Sequence, residues 1–169
     1  MAAPDPAPGS GVRSPDATDP PRVLVDVMCG KLATYLRMCG YDAAYALDEG
    51  IEDDDALAAL STTEDRLLLT RDRELAARVD DALCVTERDV LDQLREVAAA
   101  GYPVEIAAEP TRCGACNGPV DRVAHDAARP AYVPDDGPDR HWRCRDCGQW
   151  FWKGGHWASV ADRVSSIGE

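Results

Sequence analysis

The sequence predicts an α/β fold in two parts: a parallel sheet flanked by helices, then a small module stapled by four cysteines. Three observations lead there. Short apolar runs alternate with amphipathic stretches between Val23 and Ala99. After Gly101 the helical periodicity stops, and prolines, glycines, cysteines and tryptophans take over. Two C-x-x-C pairs, Cys113 with Cys116 and Cys144 with Cys147, fall in that second stretch. Strands alternating with helices imply right-handed βαβ units and a sheet covered on both faces.

Residues 1–21 are rich in Pro, Asp, Ala and Gly, and nothing in them offsets the entropy of ordering, so a disordered leader is expected. Val23-Leu24-Val25 reads as a buried strand ending at Asp26. Lys31 to Met38 reads as a helix with Leu32, Tyr35 and Leu36 on one face and Gly40 as its stop. Asp42 to Tyr45 is a weaker strand. Asp53-Asp54-Asp55 opens a helix through Leu60, where acids in the first turn suit the helix dipole. Leu67 to Thr70 is the clearest strand, followed by Arg71-Asp72-Arg73 and a short helix through Arg78. Ala82 to Val85 makes a fourth strand, and Asp89 to Ala99 an amphipathic helix carrying Val90, Leu91, Leu94 and Val97. The sheet-bearing domain is expected over residues 22–105, the cysteine module over 110–158, and a C-terminal helix and tail over 158–169, with helical character from about His156 to Ser166.

A chain of 169 residues with 45% hydrophobic content can bury a real core. No apolar run approaches the roughly 18–20 residues that cross a bilayer, and the N-terminus lacks the order of a signal peptide, so a cytoplasmic protein with no membrane partner is expected. The net charge of −13 argues against a polyanionic partner. Two features weaken that objection. Of the 18 basic residues only Lys31 and Lys153 are lysines, and many acids with many alanines resemble a salt-adapted, halophilic surface. In about 1 M salt the Debye length falls to ~3 Å, which screens long-range repulsion from phosphate. The charge is also uneven, since residues 111–157 carry seven Lys/Arg against six Asp/Glu. The cysteine module is therefore the surface least hostile to a phosphate backbone.

Each C-x-x-C turn can present two sulfurs to one metal, and four thiolates at about 2.3 Å complete a tetrahedral, closed, structural zinc site. The ligands are then Cys113, Cys116, Cys144 and Cys147. Gly114, Gly118 and Gly148 stand where such turns call for residues that tolerate positive φ. A dithiol redox role is the rival, but two pairs in a Gly/Pro-rich stretch favour metal. Cys29, Cys39 and Cys84 read as small buried side chains. Trp142, Trp150, Trp152, Trp157 and Phe151 supply a core for a module with little else to bury, or stack on bases beside Arg143, Lys153 and His156.

Asp26 follows one apolar strand directly, and Asp72 stands two residues beyond another. Strand C-termini line the ligand crevice of a parallel sheet. With Asp54 at a helix start, these acids could share a pocket that a hard cation, Mg²⁺ or Mn²⁺, would neutralise. Aspartates at strand ends also cap helices and turns, so both roles stay open. Lys31, Arg71 and Arg73 flank the acids and either orient phosphate or balance their charge.

Taken together, Asp26 through Asp42, Leu68-Leu69-Thr70-Arg71-Asp72-Arg73, the knuckle from Arg112 to Gly118, and Cys144 through Gly148 with Phe151 through Trp157 resemble the signatures of the Mut-seven C-terminal ribonuclease domain family, in order, over roughly residues 23–165. The resemblance implies a PIN-like nuclease domain joined to a zinc ribbon, and divalent-metal cleavage of RNA. By register it assigns Asp26, Asp54 and Asp72 to the family's acidic positions, Asp54 because Leu57 and Arg66 keep the family spacing. It leaves Lys31, Arg71, Arg73, Lys153 and His156 as substrate contacts. Cys29 and Cys39 stand where leucine is common in the family, Thr34 where arginine is common, and Gly155 where serine is common. The function expected is thus a metal-dependent ribonuclease whose zinc ribbon helps hold RNA. The alternatives are a non-catalytic RNA-binding or assembly module and a toxin-like nuclease.

Overall fold

The computed structural model of the chain describes residues 20–134 and 140–168; residues 1–19 of the expected 1–21 leader lie outside the described residues. Val23–Val25 forms strand β1 and Leu67–Thr70 forms β3, and every residue of both is buried. Such unbroken burial requires cover on both faces of a sheet. With β2 (Ala43–Tyr45) and β4 (Ala82–Cys84) they make a four-stranded sheet in the order β2-β1-β3-β4, parallel throughout.

Helix α1 (Gly30–Met38) connects β1 to β2 after a single 3-10 turn at Val27–Cys29. Helix α2 (Asp54–Thr63) connects β2 to β3, α3 (Arg73–Arg78) connects β3 to β4, and α4 (Val90–Ala99) follows β4. Strand alternation divides the core in two. Val23, Val25, Leu67 and Leu69 face α1 and α4 and pack with Leu32, Leu36, Leu94 and Val97. Leu24 and Leu68 point the other way, onto Leu57 of α2 and Leu75 of α3. Asp53, Asp72 and Asp89 each cap a helix by accepting a backbone N–H, a contribution of about 1 kcal/mol apiece.

The second half is a three-stranded antiparallel sheet, β5 (Val120–Arg122), β6 (Trp142–Cys144) and β7 (Trp150–Phe151), in that spatial order. The chain then returns. Helix α5 (Gly155–Ser165) buries Val160 and Val164 in the same cluster as Leu94 and Val97. The last helix is therefore a wall of the parallel-sheet core and clamps the two halves together. No helix among the described residues is long and apolar enough to cross a membrane.

Polar contacts complete the clamp. Arg37, only 3% exposed on α1, donates to Ala43 O at 2.9 Å and across the junction to Gly114 O at 3.0 Å. Asn117 reaches back: its amide donates to Asp42 at 2.7 Å, and its oxygen accepts from Ala43 N at 2.9 Å. Asp42 also takes Arg66 at 2.9 Å. Burial alone would raise the Asp42 carboxyl, but the hydrogen bonds from Arg66 and Asn117 outweigh it and hold it down, to about 2 from 3.8. A depressed carboxyl contributes stability that is complete above its unfolded value and lost as pH falls through the folded one. Asp42→Asn is thus expected to cost about 2 kcal/mol at neutral pH. The gap between the urea midpoints of variant and parent should close as pH falls from about 4 toward 2.

Candidate active site and metal centre

The strand order reverses direction between β1 and β3, with β2 on one side and β4 on the other. A crevice opens at the C-terminal ends of two such strands. Asp26 follows the C-terminal end of β1, and Thr70-Arg71-Asp72 closes and follows that of β3, on the two sides of the switch point. Asp26 is 5% exposed, its Oδ1 accepts from Val27 N at 2.7 Å, and its Oδ2 accepts from the Thr70 hydroxyl at 2.7 Å. The same Thr70 oxygen accepts from Asp72 N at 3.0 Å. Asp72 in turn caps α3, its Oδ1 taking Glu74 N at 2.9 Å and Leu75 N at 3.1 Å. A fully buried threonine thus couples the two acidic positions. Sequence reasoning passed over Thr70; its only signal was a hydroxyl closing an otherwise apolar strand.

The Asp53-Asp54-Asp55 run resolves by elimination. Asp53 spends its carboxylate on Ala56 N at 3.1 Å, and Asp55 pairs with Arg78. Asp54 lies exposed in the first turn of α2. The three acids are not a preformed cage. Among the described residues, the one group of three or more His, Cys, Asp or Glu ligand atoms within 4.8 Å of one another is the four cysteines.

Of the flanking cations, Lys31 and Arg73 are exposed and Arg71 is half-buried. Arg71 Nε and His141 Nε2 are the buried side-chain nitrogens left without a hydrogen-bond partner among the described residues. An orphaned donor costs free energy unless something accepts from it. Cys29 lies behind Asp26, and burial pushes its thiol up to about 11, so it has no thiolate character with which to act as a nucleophile.

Four sulfurs meet between the knuckles, with Cys113 near Cys147 at 3.6 Å and Cys116 near Cys144 at 3.5 Å. Backbone amides point at them: Gly118 N at Cys116 Sγ, 3.4 Å, and Asp146 N and Cys147 N at Cys144 Sγ, 3.4 and 3.5 Å. Burial raises the Cys144 thiol, but these amides outweigh it and bring it down to about 7. Four sulfurs within 4.8 Å of one another, with N–H donors behind two of them, fit a zinc ion, which would hold them as thiolates. Of the three glycines, Gly148 takes the expected positive φ (+78°), while Gly114 and Gly118 do not. In the first knuckle Asn117 (+69°) takes it instead, and Gly118 is needed for room, since a Cβ there would lie 2.9 Å from Cys144 Sγ.

Lys153 is held in place. Its ammonium donates to Ala108 O and lies 5.9 Å from the ring centres of Trp142 and Trp157. His156 is exposed at the start of α5. Trp142 and Trp150 are buried as ribbon core, while Trp152 and Trp157 stay half-buried.

A four-stranded parallel sheet clamped to a four-cysteine ribbon that can hold zinc makes a two-part α/β protein. The chain belongs to the Mut7-C RNAse domain family, whose model matches residues 21–164. No curated protein and no solved structure gives a significant match.

Proposed function

We propose that the chain is a divalent-metal-dependent ribonuclease that hydrolyses RNA phosphodiester bonds, with Asp26, Asp54 and Asp72 as the acids and structural zinc in a ribbon that helps hold RNA. The observation that carries this is one hydroxyl, Thr70, at the switch point of the sheet, which donates to the Asp26 carboxylate and accepts from the backbone N–H of Asp72.

The donor set suits the cation. Carboxylate oxygens favour Mg²⁺ or Mn²⁺, and Mg²⁺ keeps several waters while taking only one or two carboxylates directly. Acids set apart rather than packed into a cage match that habit. When bound, such a metal supplies an activated water and neutralises charge on the phosphoryl group. Asp26 is anchored by two hydrogen bonds, one on each carboxylate oxygen, and each oxygen keeps a further lone pair. Asp72 is oriented by two amides of α3. Arg71, with its unsatisfied Nε, together with Lys31 and Arg73, would orient the phosphate. The thiolate ligands call for a reducing compartment, and the composition suits a salt-adapted cytoplasm.

The spacing of the acids also favours a second reading, a non-catalytic RNA-binding or assembly module. The two separate in one assay: zinc-loaded protein with labelled single-stranded and structured RNA in molar KCl, with Mn²⁺ or with no added divalent ion. Cleavage that appears only with Mn²⁺ is the expected result. Binding without cleavage on any substrate would leave the second reading.

A further inference from the structure

Helix α1 and the ribbon enclose a groove of about 440 Å³ that the proposed chemistry does not use. That volume lies within the range of small-molecule sites, about 300–1,000 Å³. Three of the chain's four tryptophans, Trp150, Trp152 and Trp157, line it, and Thr34 and Met38 of α1 form the opposite wall. In a chain of net charge −13, no carboxylate among the described residues lines this groove, and the ionisable groups that do are Arg112 and His156. Arg112 is positioned by Asn117 O at 3.2 Å and by Asp42 at 3.8 Å. The Trp157 ring is fixed by Lys153, whose ammonium is tied to Ala108 O.

The groove is also aligned with the acids. Lys31, Thr34 and Met38 are spaced to share one face of α1, and Lys31 and Thr34 are exposed. The N-terminus of α1 follows Asp26 by one turn, and its C-terminal half walls the groove. From Lys31 to Met38 the helix rises ~10 Å. A strand lying along that face would pass from the tryptophans to the lips of the crevice.

We propose that this groove receives an unpaired nucleobase of the RNA strand, stacked on the half-buried tryptophans, a short distance along the strand from the bond to be cut. The occupant is identified by chemistry: flat aromatic walls for a base, and the Arg112 and His156 side chains as hydrogen-bond donors in the lining for its phosphate. A paired base has its faces covered by its neighbours and cannot enter, so the groove selects single-stranded RNA. The proposal rests on the nuclease reading for the identity of the strand.

The test is equilibrium binding of a fluorescent single-stranded oligouridylate, and of a blunt RNA duplex, to the zinc-loaded full chain without added divalent ion. Two variants are compared with the parent. Trp157→Ala removes a stacking surface. Thr34→Trp fills the groove from an exposed helical position and leaves the ribbon's own core untouched. Each is expected to weaken oligouridylate binding by about tenfold, and the loss should persist in about 1 M KCl, because stacking is not screened as phosphate contacts are. Preference for the single strand over the duplex should shrink in both variants.

Unchanged affinity in Thr34→Trp, with one zinc per chain retained, would overturn the proposal and leave the groove to a polypeptide partner. Equal affinity of the parent for duplex and single strand would overturn it as well. A parent that binds through the groove but cleaves nothing would uphold the groove and remove the nuclease reading. Cleavage abolished by changes to the acids, with binding indifferent to both groove variants, would do the reverse.

Discussion

Asp26→Asn is expected to lower RNA cleavage by about 10³-fold while leaving fold and zinc content unchanged. Metal-centred charge stabilisation is worth several kcal/mol, and about 4 kcal/mol corresponds to that factor. The substitution removes a charge but little shape. An asparagine can keep its oxygen toward Val27 N and turn its amide toward the Thr70 oxygen. The threonine hydroxyl would then have to find a new acceptor, a cost of about 1 kcal/mol. Single-turnover cleavage with saturating Mn²⁺, beside a urea melt, separates the two effects. A variant that melts normally and cleaves at the parent rate would remove Asp26 from the mechanism. Asp72→Asn should behave similarly, with a further small loss because its Oδ1 caps α3.

Cys144→Ser is expected to release the zinc and unfold the ribbon at neutral pH. Structural zinc contributes on the order of 10 kcal/mol of apparent binding free energy in modules of this size. Cys144 is the most exacting position, since its sulfur accepts two backbone amides and lies against Gly118. The damage should spread, because α5 leaves the ribbon and ends in the parallel-sheet core through Val160 and Val164. Zinc analysis and near-ultraviolet circular dichroism of the tryptophans would report it. A variant with full zinc and native tryptophan signals would show that three thiolates suffice. Since a chelator attacks this site too, cleavage assays are better run by withholding Mn²⁺ than by adding EDTA.

The parallel sheet could be read from the chain because burial on both faces leaves unbroken apolar runs, as at Val23-Leu24-Val25 and Leu67-Leu68-Leu69. The cysteine cluster could be read because ligand spacing within a knuckle is local. Polar pairing over long separations leaves no such trace. Nothing in the periodicity distinguishes Asn117 as the partner of Asp42, 75 residues away, or marks Arg37 as a bridge rather than a solvated helix residue. Asp53, Asp54 and Asp55 are alike in sequence, and only their partners divide them into cap, free carboxylate and ion pair. The path of α5 was hidden for a related reason. Val160 and Val164 mark an apolar stripe but cannot say which half of the molecule it covers.

The side chains at Ala43 have a consequence for the life of the protein in the cell. Among the described residues strand β2 pairs only with β1, so its other flank is a border onto which a neighbouring chain could add a strand. Arg37 occupies the Ala43 carbonyl and Asn117 its N–H, which closes that border. Asn117 sits immediately after Cys116 and keeps its place only while the knuckle is folded. Loss of metal would therefore unseal the sheet margin as well as the ribbon. With zinc as the ribbon's ligand, metal supply would govern how well this margin is sealed, and a metal-starved chain would expose it to a neighbouring strand.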